Sequence, residues 1–260
     1  MSLCLFSVSA TAANLATVLT GPQRSADYVQ RDTARKPLQT LQYFGLEPDM
    51  TVVEIWPGGG WYTEILAPYL REQGTFYAAH FNPEAEREYF RKSLAKYQDK
   101  LAANPAAYDK VRLTAFEPPQ LLDIAPPGSA DLVLTFRNVH NWYMRGGGEE
   151  KLLAAFEAMH RALKRGGVLG VVEHALPADA PLSMQERSGY MREDYVVNIA
   201  EKVGFVRVDS SNLHHNPLDD ADHPRGVWTL PPRLALGEEN IETYLTIGES
   251  NRMTLKFMKP

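Results

Sequence analysis

The chain of 260 residues carries a single cysteine, Cys4. One thiol cannot close an internal disulfide or build a cysteine-based zinc site within one chain. There is no dense run of lysine and arginine, the formal net charge is −5 and the pI is near 5.8. Without a basic field to neutralise a phosphate backbone, nucleic acid is a poor partner. No stretch approaches the ~20 apolar residues of a membrane span, so no transmembrane segment is expected. Internal repeats and low-complexity tracts are absent as well. What remains is a globular chain, 44% hydrophobic, with ample material for one buried core.

The N-terminus looks like an address. Cys4 to Ala13 is apolar or small, and Ala10-Thr11-Ala12 matches a small-x-small cleavage pattern. This stretch favours a periplasmic or exported protein over a cytoplasmic one. Residues 1–23 read as the remnant of an export signal or a disordered lead, and 24–260 as a single domain. That domain divides into a helical cap at 24–46, a core at 47–213, an irregular insert at 214–240 and a final helix and strand at 241–260.

Within the core the hydrophobic period switches repeatedly. Thr51 to Ile55 is a short β-rich run, broken by Pro57-Gly58-Gly59-Gly60 and followed by a helical stretch from Trp61 to Arg71. Further strands are predicted at Thr75 to Phe81, Val111 to Phe116, Asp131 to Phe136, Val168 to Glu173, Phe205 to Val208 and Met253 to Phe257. Helical patterns lie between them at Pro83 to Asn104, Lys151 to Leu163 and Asp194 to Val203. The apolar run at Asp131 to Phe136 suits a parallel strand buried on both faces, and Leu152, Leu153, Phe156, Met159 and Leu163 make one helical stripe. Alternation of this kind means an α/β, Rossmann-like doubly wound sheet, with ligands at the carboxyl ends of its central strands.

The glycine turn is the strongest chemical signal. Glycines between a strand and a helix let a nucleotide-like ligand approach the backbone where helix amides point outward. A dinucleotide fingerprint begun at Gly58 would need a third glycine at Thr63, which weakens a nicotinamide reading. In Glu54-Ile55-Trp56-Pro57-Gly58-Gly59-Gly60 the chain resembles the class I S-adenosylmethionine-dependent methyltransferases, whose first motif runs acidic, x, Gly, x, Gly, x, Gly. Asp131-Leu132-Val133 is similar to that family's fourth-strand motif, and Leu163-Lys164-Arg165-Gly166-Gly167 to its segment before strand five. The likeness runs in order from about Leu41 to Phe205 and is nearest to a bacterial group of predicted methyltransferases with a Pro-Gly-Gly-Gly turn. Trp56 replaces the first motif glycine, and His80 stands where an acidic residue usually holds the ribose.

This resemblance implies a seven-stranded sheet of the class I methyltransferase type, S-adenosylmethionine as cofactor, S-adenosylhomocysteine as product and a small-molecule acceptor. It places Glu54, Trp56, Gly58, Gly60, Tyr62, His80, Glu117, Arg137 and Asn138 around the cofactor. Arg137 to Tyr143 follows the fourth strand, where this architecture presents residues to the reacting group. His140 is the candidate base or acceptor-orienting group there, because imidazole titrates near neutrality. Glu173 and His174, at the end of strand five, are the second candidate pair. Two competing readings stand beside this one. An exported, noncatalytic binding domain could keep the fold while Trp56 and His80 erode the cofactor site. A metal-assisted hydrolase would use His140, Glu173, His174 and the His/Asp-rich segment from His214 to His223, whose spacing matches no zinc or calcium pattern and reads better as a solvated loop.

Overall fold

A computed structural model of the protein describes residues 14–144 and 146–260. The apolar stretch from Cys4 to Ala13 lies outside the described residues. Five helices and a strand open the fold in this order: α1 (Leu15–Leu19), α2 (Ala26–Val29), α3 (Asp32–Arg35), α4 (Pro37–Phe44), β1 (Thr51–Ile55) and α5 (Thr63–Leu70). There follow β2 (Thr75–His80), α6 (Glu88–Ala103), α7 (Pro105–Tyr108), β3 (Arg112–Ala115), β4 (Ala130–Phe136), α8 (Val139–Tyr143), α9 (Gly148–Ala162) and β5 (Leu163–His174). The chain closes with α10 (Glu193–Val203), β6 (Val206–Ser211), α11 (Ile241–Ile247) and β7 (Arg252–Met258).

The seven strands run in the order β3-β2-β1-β4-β5-β7-β6, and β7 is antiparallel to both its neighbours. Strand order reverses between β1 and β4, the switch point at which ligands are expected. Each strand of the centre feeds two cores, because successive side chains point to opposite faces. Val53 and Ile55 join Val133, Phe156, Ile199 and Leu255 on one face; Val52 joins Leu41, Ile65, Leu132 and Tyr97 on the other.

Three departures from the sequence reading have plain causes. The fold does not begin at residue 24: Asn14 caps α1, Leu15 is buried, and the Gln23 amide donates to the Val18 and Glu64 carbonyls at 2.8 and 3.2 Å. Strand β5 starts five residues early, since α9 ends at Ala162 and Leu163 pairs at once with Ala130, leaving the two glycines inside a shifted register. Strand β6 extends to Ser211 through residues with little strand preference; pairing with β7 holds them.

Candidate functional site

The turn after β1 is set by backbone conformation. Trp56 has φ +45°, Gly58 +58° and Gly60 +83°. At Gly58 a Cβ would meet nothing within 4 Å, so that position opens onto space. At Gly60 a Cβ would press on Tyr97 and Lys100 at 3.1 and 3.2 Å, so this glycine serves close packing and not ligand access. The Trp56 indole turns out of the turn, donates from Nε1 to the Phe116 carbonyl at 2.8 Å and packs among Phe81, Phe90, Phe116 and Trp142. It does not plug the seat: cavities of about 490 and 400 Å³ lie against it, and it lines both.

The first cavity has an aromatic wall of Trp56, Phe81, Phe90 and Phe116 and a polar edge of Asn82 and Glu117. There the Asn82 amide donates to Glu117 Oε2 at 2.6 Å. His80 reaches neither cavity, which corrects the expectation that it faces a ribose. It is fully buried; the Phe81 amide donates to its Nδ1 at 2.7 Å, so Nε2 carries the proton and donates to the Gly58 carbonyl at 3.0 Å. Burial pushes this imidazole down to about 4, and its work is to brace the glycine turn.

The second cavity gathers most of the remaining residues singled out in the sequence. Glu54, Gly58, Tyr62, Arg137, Asn138, His140 and His174 all line it. Glu54 accepts from the Thr63 hydroxyl at 3.0 Å, and burial pushes its carboxyl up to about 8. Tyr62 stacks on Phe136 at 3.6 Å. Asn138 donates to the Ile55 carbonyl at 2.8 Å, tying the ends of β4 and β1 together across the switch point.

Glu173 is fully buried beneath this cavity and accepts four N–H groups. Oε1 takes His140 Nδ1 at 2.9 Å and the His174 amide at 2.8 Å; Oε2 takes the amides of Val139 and His140 at 2.6 and 3.3 Å. With Nδ1 donating, His140 is left with Nε2 as a free lone pair on a ring that lines the cavity. His174 shares a hydrogen bond from Nδ1 with Ser250 Oγ at 2.5 Å, and burial, followed by the nearness of the His140 ring and of the buried arginines, holds it far below the ordinary histidine range.

Arg31, Arg35 and Arg252 were not foreseen from the sequence. Arg31 and Arg35 arrive from the N-terminal helices and line the cavity with Arg137. Arg31 pairs with Glu249 at 2.7 Å, and buried Arg252 holds the same carboxylate. Burial works to raise the Glu249 carboxyl, but Arg252, Arg31, Arg35 and Arg137 outweigh it and keep it at about 2. The run Gly248-Glu249-Ser250-Asn251-Arg252, polar residues ahead of a buried strand, was the available signal.

The histidine-rich segment after β6 divides. His214 is buried and bonds Thr254 at 2.7 Å and the Arg35 carbonyl at 3.0 Å, which makes it a brace between β7 and the N-terminal helices. Asp219 accepts from Tyr190, His223 and the amides of Ala221 and Asn251. Among the described residues two groups, His140 with Glu173 and His174, and Asp219 with Asp220 and His223, bring ligand atoms within 4.8 Å. The Glu173 and Asp219 oxygens in them are already taken by N–H and O–H donors, so neither group is arranged about an ion.

No protein-family model and no curated protein matches the chain. Solved structures do. A S-adenosylmethionine-dependent methyltransferase from Aquifex aeolicus aligns over 95% of this chain and 100% of its own, at 15% identity and a TM-score of 0.58. A geranyl diphosphate methyltransferase solved with S-adenosylmethionine aligns over 94% and 95% at 12% identity, TM-score 0.56. The cyclase SpnF aligns over 95% and 91% at 15% identity, TM-score 0.60. The chain therefore has the class I methyltransferase fold, as the strand order already indicated. One of these three neighbours is named for a cyclisation, so the fold leaves the reaction to be argued from the site.

Proposed function

We propose that the protein is a S-adenosylmethionine-dependent methyltransferase for a small-molecule acceptor. The observation that carries this reading is the pair of cavities at the switch point, one aromatic and one charged, meeting at Trp56 beside a glycine turn whose Gly58 opens onto the charged one. The residues fit the cofactor end by end. Phe81, Phe116 and Trp56 offer an apolar slot for adenine, with Asn82 and Glu117 at its polar edge. Glu54 suits the ammonium, and Arg31 on the rim suits the carboxylate. When bound, S-adenosylmethionine supplies a methyl group already activated on a sulfonium.

The chain's own contribution is then positioning, exclusion of water and management of one proton. His140 takes that proton: the acceptor's O–H or N–H bond breaks, and a new N–H forms at Nε2. The Glu173 carboxylate on Nδ1 fixes the ring and stabilises the imidazolium. The test is calorimetric. Titrating S-adenosylhomocysteine should release heat and quench tryptophan fluorescence, and Gly58→Val, which puts a branched side chain into open space at φ +58°, should abolish both. No binding at millimolar ligand overturns the reading.

A further inference from the structure

The charges around the second cavity do not balance. Arg31, Arg35 and Arg137 line it, and Arg252 is buried close enough to act on Arg137. Against them stands Glu249, shared by Arg31 and Arg252, while Glu54 is held at about 8 and is neutral at pH 7. Arg35 is 5% exposed, lies over Trp61 at 4.5 Å, and its Nε has no hydrogen-bond partner. Among the described residues no carboxylate lies within 4 Å of either guanidinium, and Glu249 acts on Arg35 and Arg137 only at longer range. Burial, then the charges of Arg137 and Arg31, drives the Arg35 guanidinium far down from its ordinary range. A guanidinium keeps its proton in proteins, so this is a standing electrostatic penalty awaiting an anion.

The cofactor does not remove it. S-adenosylmethionine brings one carboxylate with two cationic centres; even if its ammonium ionises Glu54, the excess of positive charge is unchanged. Resting on the methyltransferase reading, we propose that the methyl acceptor is a small dianion, a phosphate monoester or a dicarboxylate, whose anionic group lies on Arg35 and Arg137 beside His140. The approach is built for the same charge. A cavity of about 1270 Å³ adjoins the site through Tyr89, Phe90, Asn141 and Trp228, and Arg87, Arg187, Arg225 and Arg233 line it against Glu186 and Asp222. On a chain of net charge −5, such a basic mouth concentrates anions where the chemistry is.

Titration of the full chain with inorganic phosphate and with malonate, by calorimetry at low ionic strength, tests this. At least one probe should bind at a single site with a dissociation constant of about 1 mM or tighter, and Arg35→Gln or Arg137→Gln should weaken it about tenfold or more. The tighter probe shows whether the acceptor is a phosphate ester or a dicarboxylate. Saturating S-adenosylhomocysteine should leave the probe bound, and in the unaltered protein the probe should shift the ring resonances of His140, a readout independent of variant folding. Absence of saturable binding overturns the proposal. So does competition with S-adenosylhomocysteine, or binding lost in Arg187→Ser/Arg233→Ser and kept in Arg137→Gln. Probe binding without S-adenosylhomocysteine binding would sustain the anion site and remove the methyltransferase reading; the reverse would remove the anion site alone.

Discussion

Replacing Glu173 with glutamine tests the polar centre of the site through one atom. The carboxylate spends Oε1 on His140 Nδ1 and the His174 amide, and Oε2 on the amides of Val139 and His140. An amide keeps only one oxygen and has two orientations. With its NH₂ toward α8, two backbone donors that cannot change state lose their acceptor. With its NH₂ toward the imidazole, His140 can move its proton to Nε2 and accept at Nδ1, so only the His174 amide is stranded. The second orientation wins. One buried unsatisfied donor costs about 1–3 kcal/mol. Taking about 2 kcal/mol, and about 2–4 °C of melting temperature per kcal/mol for a domain approaching this size, Glu173→Gln should melt about 4–8 °C lower. The decisive assay is ¹⁵N NMR of the His140 ring: in the native protein the proton sits on Nδ1, and in Glu173→Gln it should sit on Nε2. The cavity then loses its proton acceptor, and methyl transfer should fall by about 10²–10⁴. An unchanged tautomer together with an unchanged melting temperature would refute the bridging role of the carboxylate.

The buried Glu54 makes a second outcome measurable. Because burial raises it to about 8, a ligand ammonium placed beside it must expel its proton at pH 7. S-adenosylhomocysteine binding should therefore release a proton, seen as a dependence of the calorimetric heat on buffer ionisation enthalpy, and affinity should climb with pH until about 8; equal heats in all buffers would contradict this. The insert should respond to pH in a different way. The bond to Asp219, outweighing burial, raises the His223 pKa, so its contribution is whole below the unfolded value of ~6.5 and fades as pH rises through the folded value. Burial works to raise Asp219, but its bonds to His223, Ala221, Asn251 and Tyr190 lower it on balance, so its contribution is present above ~3.9 and lost as pH falls below that. Amide exchange across residues 215–240, corrected for intrinsic rates, should be slowest between these limits, and slower exchange at pH 8.5 than at pH 5.5 would count against the His223–Asp219 pairing.

The parts of the fold that were legible in the sequence are those whose cause is local. Strand β4 is an unbroken apolar run, α9 carries its own stripe, and the turn from Pro57 to Gly60 announces a strand-to-helix bend without help from elsewhere. His140 was singled out from its place after a buried strand, and the carboxylate that orients it lies 33 residues away on β5. What escaped notice depends on distant partners. Nothing near His80 announces that its ring will close on the Gly58 carbonyl, 22 residues back. Arg31 and Arg35 bracket the four-residue α3, which shows no stripe, and only the docking of that helix over the sheet turns them toward the cavity.

Trp56 joins both kinds of residue, since the sequence shows the substitution and only the structure shows its sense. An L-residue at φ +45° costs about 1–2 kcal/mol, and the motif position it occupies could have been filled by glycine at no such cost. The compensation is visible: one hydrogen bond to Phe116 and four aromatic neighbours. That same left-handed turn carries the indole away from Gly58 and sets it as a partition between the apolar and the charged cavity. A guest long enough to use both must cross the edge of this ring, while a short anion can occupy the arginine side alone. On the proposed function, this one backbone angle lets the site select its guests by length and by charge, with the two cavities working as one divided site.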